Sequence, residues 1–241
     1  MEKLTVVVPA GGPGGGMYPL TAGMPKALIP VGSKPMLIKI LETFDPEVIG
    51  KVIIVADKYF SMIKDYIDAF KYQIPIHIKY KKLFLTPPQQ LIALKDELSD
   101  PFIIHYTDII TDKKIDWKGG YEKFMKFSKK DKNILGLLYI TKDYPLAIGV
   151  VGKDPENNEY IGKFFEKPAE VMGHFANMAV AILNKDFIEF IKKGDITLFG
   201  ESIPRAIANG GKFTHFEHPD WKHFQRMGEW VDNQAKFYNK T

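Results

Sequence analysis

Residues Leu4-Thr-Val-Val-Val-Pro9 run directly into Ala10-Gly-Gly-Pro-Gly-Gly-Gly16, and this junction constrains the fold more than any other feature of the chain. A short run rich in β-branched residues, with no polar alternation, suits a strand buried on both faces, as in a parallel sheet covered by helices. The glycines end that strand, and without Cβ atoms their backbone N–H groups are open to close approach by an anion such as phosphate.

Two familiar phosphate-binding spacings can be tested against this turn. The dinucleotide pattern G-x-G-x-x-G, started at Gly12 and Gly14, ends on Met17 and fails. The P-loop pattern accommodates Gly11 to Gly16, but Met17 and Tyr18 stand where Lys and Ser or Thr are required. Glycine content alone is equally compatible with a flexible connection.

The remainder of the chain alternates apolar runs with amphipathic stretches, which predicts an α/β fold with a mostly parallel sheet flanked by helices. Strands are expected at 4–9, 51–56, 74–80, 101–106, 133–140 and 177–183, and helices at 35–44, 59–70, 88–98, 121–129 and 186–192. Residues 144–168 read as two short β runs joined by the turn-rich KDPENNEY, and a helix, a strand and a short tail close the chain. At 241 residues this suits a single domain, with a nucleotide-binding half at 1–115 and a second half at 116–241.

With no cysteine, the sequence excludes disulfides, thiol catalysis and Cys–zinc sites. Lys and Arg exceed Asp and Glu by 33 to 29, but the lysines are scattered, so no basic patch for nucleic acid is expected. No apolar run approaches the ~20 residues of a membrane span, and the N-terminus lacks a signal-like segment. The expectation is a cytoplasmic protein acting on small phosphorylated ligands. Only Arg205 and Arg226 supply guanidinium groups.

Beyond the glycines, Pro19-Leu20-Thr21 and Pro25-Lys26-Ala27-Leu28-Ile29-Pro30-Val31 complete an opening that resembles that of the sugar-1-phosphate nucleotidylyltransferases, approximately A-G-G-x-G-T-R-L-x-P-L-T followed by P-K-x-L-x-P-V. The likeness recurs in order along the chain: Asp108 after FIIHYT, Ile148-Gly149-Val150-Val151 for Y-G-V-V, Phe165-Glu166-Lys167-Pro168 for V-E-K-P, Asn177-Met178-Ala179-Val180-Ala181 for N-A-G-I-Y, and Trp230-Val231-Asp232 for W-x-D. Thr86-Pro-Pro-Gln-Gln-Leu91 lies where the family reads the nucleobase. No hexapeptide repeats follow, so no C-terminal β-helix is expected.

The resemblance implies a Rossmann-like nucleotidyltransferase fold with a small β sugar-binding subregion. It implies transfer of a nucleotidyl group from an NTP to a sugar 1-phosphate, releasing pyrophosphate, with Mg²⁺ as cofactor. Carried over residue by residue, it places Ala10, Gly11, Gly12, Gly14, Gly15, Gly16 and Gln89 at the nucleotide, and Gly149, Glu166, Lys167 and Asn177 at the sugar. Lys26, Asp108, Lys167 and Asp232 become the catalytic set, with Asp108 and Asp232 holding the metal. Family members are often dimers or tetramers, so a homo-oligomer is compatible with it. One departure matters most: the loop Thr and Arg, the latter a contact of the triphosphate, are Gly15 and Gly16 here. That loss admits an alternative, a weakly active or inactive paralogue that binds a nucleotide or NDP-sugar as a sensor or regulatory subunit. The intact carboxylates and lysines favour the transferase.

Overall fold

The computed structural model describes residues 2–80, 85–142, 150–165 and 175–238. Its strands are β1 (Leu4–Pro9), β2 (Pro30–Val31), β3 (Lys34–Pro35), β4 (Ile49–Ala56), β5 (Ile76–Tyr80), β6 (Phe102–His105), β7 (Ile109–Ile110), β8 (Ile134–Thr141), β9 (Val150–Lys153), β10 (Ile161–Phe165), β11 (Phe175–Leu183), β12 (Lys212–Glu217) and β13 (Lys222–His223). The helices are α1 (Met36–Leu41), α2 (Phe60–Asp68), α3 (Pro87–Leu94), α4 (Trp117–Ser128), α5 (Ile203–Ala208) and α6 (Met227–Tyr238).

Nine strands form one sheet in the order β10-β9-β11-β6-β1-β4-β5, with β8 beside β11 and β12 beside β8. β1 is parallel to β4 and β6, and β4 is parallel to β5. β11 runs antiparallel to β6, β8 and β9, so the sheet is parallel around β1 and mixed beyond β6. Every residue of β1 is buried. Val6 and Val8 point into a core layer with α1, α2 and α4, while Val7 points into the opposite layer with α3 and α5. That alternation within an all-apolar strand is the period of two expressed between two helical layers.

The expected elements are found, with ends shifted by a few residues. The helix expected through Leu98 ends at Leu94 and continues as a 3₁₀ turn at Lys95–Glu97, and the helix expected at 186–192 is a 3₁₀ segment, Lys185–Phe190. The expected short tail instead contains β13 and the helix α6.

β11 carries a backbone irregularity important for the site. Its pairing with β8 shifts register between Asn177 and Ala181, and Ala179 takes a left-handed φ of 53°. The Asn177 side-chain oxygen accepts a hydrogen bond from Ala179 N at 3.1 Å, and Ala179 O accepts one from Tyr106 N at 3.2 Å. Alanine in this region costs about 1 kcal/mol through its Cβ, and the resembling motif N-A-G-I-Y has glycine here. His105, at the end of β6, is buried against the edges of Phe44 and Trp117, and its Nδ1–H donates to Tyr106 O at 2.8 Å. Burial lowers its pKa to about 4, only partly offset by that hydrogen bond and the Asp108 charge.

Ala179→Gly is therefore expected to stabilise the fold by about 0.5–1 kcal/mol, read as a higher urea midpoint; an unchanged or lower midpoint would contradict strain at this residue. Below pH 6.5 the unfolded chain protonates His105 while the folded chain does not. The stability is thus complete above 6.5 and lost as pH falls towards 4, by about 3 kcal/mol for this group. His215 and His218 are also lowered by burial and add to the same trend. Urea titrations of wild type and His105→Gln across pH 4–7 should show a shallower loss in the variant.

Candidate nucleotide site

The loops leaving the carboxyl ends of the three central parallel strands converge. The glycine-rich turn follows β1, Asp57 follows β4, and Tyr106-Thr107-Asp108 follows β6. Between them lies a cavity of about 280 Å³, lined by Pro9, Gly11, Gly14, Gly15, Gly16, Lys26, Pro87, Tyr106, Thr107, Asp108 and Gln225. Crevices at this edge of an α/β sheet are the usual ligand sites of such folds, and the volume is close to the lower end for small-molecule pockets.

Its walls follow from local sequence. Gly14 has a φ of 61°, and a Cβ there would approach Thr21 Cγ2 to 2.7 Å; Thr21 Oγ1 donates to Gly14 O at 3.0 Å and fixes the turn. Lys26 begins a 3₁₀ turn, Lys26–Leu28, and lines the cavity. Lys26 Nζ donates to Asp108 Oδ2 at 3.2 Å, with side chains 16% and 20% exposed. Burial opposes the charged form of Asp108, but the Lys26 charge, with a contribution from the neighbouring His223, and the Lys26 hydrogen bond outweigh it and hold the carboxyl below its ordinary pKa. An ionised acceptor therefore sits beside a cation, over a ring of glycine backbone.

The C-terminal segment completes the wall. β13 pairs antiparallel with β7, immediately after Asp108, and Phe224 N donates to Asp108 O at 2.8 Å. A small apolar cluster of Met17, Ile29, Val31, Met36, Ile110 and Phe224 fastens the glycine loop, the β2–β3 hairpin and this segment together. Gly15 faces open space, so a side chain at the position of the family's Thr would fit. Gly16 does not: a Cβ there would run into the Gln225 carbonyl oxygen and lie 3.7 Å from Arg226 Cα. The space that an arginine side chain would leave through is filled by backbone.

Of the residues expected at the nucleotide, Gly11, Gly14, Gly15 and Gly16 line the cavity with Lys26 and Asp108. Ala10 is buried just behind them, its N–H donating to Val55 O. The Gly12 N–H is taken by Asp57 Oδ2 at 3.2 Å, a carboxylate the sequence reading did not single out. Gln89 donates its Nε2 to Lys192 O at 2.8 Å, and it is Pro87 from the same helix that reaches the cavity. Asn177 is buried, holding the β11 irregularity. Gly149, Glu166 and Lys167 lie outside the described residues. Asp232 is exposed on α6 and is not among the lining residues. The C-terminal residue that acts electrostatically on Asp108 is His223, on β13 just before α6.

The sequence pattern of the nucleotidyl transferase family matches residues 5–233. The chain belongs to that family. The mannose-1-phosphate guanyltransferase of Aspergillus fumigatus is 28% identical over 90% of this chain, and a probable mannose-1-phosphate guanylyltransferase 1 of Oryza sativa is 25% identical over 88%. The chain spans 58% of the length of each of these two relatives. Among solved structures, apo UDP-glucose pyrophosphorylase superposes over 100% of this chain and 99% of its own, with a TM-score of 0.80 and 16% identity. A putative glucose-1-phosphate thymidylyltransferase from Bacillus anthracis superposes over 98% and 96%, with a TM-score of 0.78 and 18% identity. The fold expected from the sequence is thereby established. No helix among the described residues is long and apolar enough to cross a membrane.

The contact at Gly16 yields a steric prediction. Gly16→Ala should lower stability by about 1–3 kcal/mol through overpacking against the Gln225 carbonyl, whereas Gly15→Ala should change it by less than about 0.5 kcal/mol. Thermal melts of the two variants check the contrast; equal melting temperatures would show that the C-terminal segment does not rest on Gly16.

Proposed function

We propose that this chain transfers a nucleotidyl group from an NTP to a sugar 1-phosphate. The observation that carries the reading is the Lys26–Asp108 pair set in a glycine-lined cavity at the carboxyl ends of β1 and β6. In the reaction, an oxygen of the sugar phosphate forms a new P–O bond at the α-phosphorus. The bond from that phosphorus to the β-phosphate bridging oxygen breaks, and pyrophosphate leaves with the electron pair. Such chemistry asks the protein mainly for positioning and charge, which fixed donors supply without reorganisation.

Gly11 and the Gly14–Gly16 turn give the phosphates an approach free of side chains, and Lys26 neutralises part of their charge. The relatives named as mannose-1-phosphate guanyltransferases put GTP with mannose 1-phosphate first among the pairs to try. The sugar end is assigned to Gly149, Glu166 and Lys167 by the resemblance alone.

Magnesium fits this site in one specific way. Among the described residues, no group of three or more His, Asp or Glu side chains is placed to hold a metal alone. Asp108 offers one carboxylate in the cavity, and Mg²⁺ is commonly bound through one or two carboxylates together with substrate phosphates and water. Asp108 would therefore hold an ion that arrives with the triphosphate, with Asp232 as a second ligand only if α6 presents it there. The ion, when bound, neutralises phosphate charge and orients the nucleotide. Lys26 and the glycine amides perform the binding and alignment described above.

Purified protein with Mg²⁺ is expected to release pyrophosphate only when an NTP and a sugar 1-phosphate are both present. Lys26→Ala and Asp108→Asn should each reduce the rate by about 10²–10³. Absence of release across the common NTPs and hexose 1-phosphates, alongside binding of an NDP-sugar, would replace this reading with that of a sensor or regulatory subunit.

A further inference from the structure

Among the described residues, the cavity is short of positive charge for a triphosphate. Lys26 is the one cation among its described lining residues, and Asp108 pairs with it, so that part of the lining is close to neutral. The family position that would supply an arginine is Gly16, closed by the Gln225 carbonyl. Of the chain's two arginines, Arg205 is committed elsewhere: its guanidinium donates to both Asp195 carboxylate oxygens, at 2.7 and 2.8 Å, and to Phe190 O. Arg226 remains. Its Cα would lie 3.7 Å from a Cβ on Gly16, its side chain is exposed, and it enters no ion pair among the described residues.

The backbone around Arg226 is held in place. Glu229 Oε2 accepts from Gln225 N at 2.7 Å and from Arg226 N at 3.0 Å, the reach-back of a third-position glutamate over the residue that starts α6. Trp230 N donates to Arg226 O, and Trp230 Nε1 pins the helix to Pro30 O at 2.8 Å. The result is a Cα held beside the glycine loop, carrying a long, exposed cationic side chain.

We propose that Arg226 supplies the guanidinium that binds the β- and γ-phosphates of the nucleotide, delivered from the C-terminal segment instead of from the glycine loop. Gly16 and Arg226 form a reciprocal exchange. The loop gives up its side chain so that the segment can pack against it, and the segment brings the cation back to the same rim. Guanidinium matches phosphate oxygens with paired donors, a geometry that ammonium cannot copy. This inference rests on the transferase reading above for its catalytic consequence, but not for its binding consequence.

Calorimetric titration with nucleoside triphosphate and monophosphate, and pyrophosphate release, should be measured on wild type, Arg226→Ala, Arg226→Gln and Arg226→Lys. Loss of one charged donor is expected to weaken triphosphate binding about tenfold to a hundredfold and leave monophosphate binding unchanged. Release should fall by about 10²–10³, with lysine recovering only part of either effect. Melting temperatures should match wild type because the side chain is exposed; if the Ala variant melts early, the Gln variant carries the comparison. Triphosphate affinity equal to wild type, or equal loss for triphosphate and monophosphate, would overturn the proposal. Wild-type protein that binds triphosphate but releases no pyrophosphate would defeat the transferase reading alone, and the affinity comparison would still decide Arg226. A wild type that binds no nucleotide defeats both.

Discussion

Burial of β1 on both faces is the constraint from which the rest follows. With Val6 and Val8 in one core layer and Val7 in the other, the strand must lie between parallel neighbours and under helices on both sides. A chain in that position can only emerge at the strand's carboxyl end, between the ends of β4 and β6. The glycine turn, Asp57 and Asp108 therefore meet because three parallel strands end together. Their separation in sequence is the length of the crossovers. The site is a property of sheet topology before it is a property of any motif.

Replacement of the loop arginine is best understood through packing. In isolation Gly16 reads as a deletion of function, since a preorganised cation beside a developing anion is a large contribution. In the fold the same glycine is what allows the Gln225 carbonyl to approach, and with it Phe224, whose buried ring joins Met17, Ile29, Val31, Met36 and Ile110 beneath the loop. The Phe224 N–H bond to Asp108 O then ties the segment to a residue that lines the cavity. An arginine at 16 and this docking of the C-terminal segment cannot coexist without moving backbone. The glycine at 16 and the docking of this segment are parts of one packing arrangement.

Much of this was legible in the residues. Uninterrupted apolar runs at β1, β4 and β6 declared a covered parallel sheet, and Pro25-Lys26 and Asp108 declared which side chains face its edge. Local pattern is silent about partners. Asn177 could be matched to a motif, but its work on the Ala179 N–H arises from a register shift that only pairing with β8 creates. Gln89 has the chemistry to read a base, yet the carbonyl of Lys192, brought in by a distant turn, takes its amide. Trp230-Val-Asp232 matched W-x-D on three residues, whereas the capping contacts of Glu229 make that stretch helical and leave Asp232 exposed. Asp57 lay in no motif; it is visible only because β4 ends beside β1.

Two local contacts set the electrostatics of the cavity. Lys26 and Asp108 neutralise each other across 3.2 Å, and Asp57 satisfies the Gly12 N–H that a phosphate would otherwise take. Both arrangements hold the loop, and both must be altered when a polyanion enters. Asp57 would sit close to phosphate oxygens, and repulsion would favour loss of its hydrogen bond to Gly12. Lys26 would divide its donors between Asp108 and phosphate, which leaves the carboxylate free to accept a cation. The charge that makes the exchange favourable must come with the nucleotide or from outside the lining. A divalent ion on the phosphates meets the first condition and a guanidinium at the rim meets the second. Among the described residues, a pair whose charges cancel in this way favours a ligand that carries its own counter-ion.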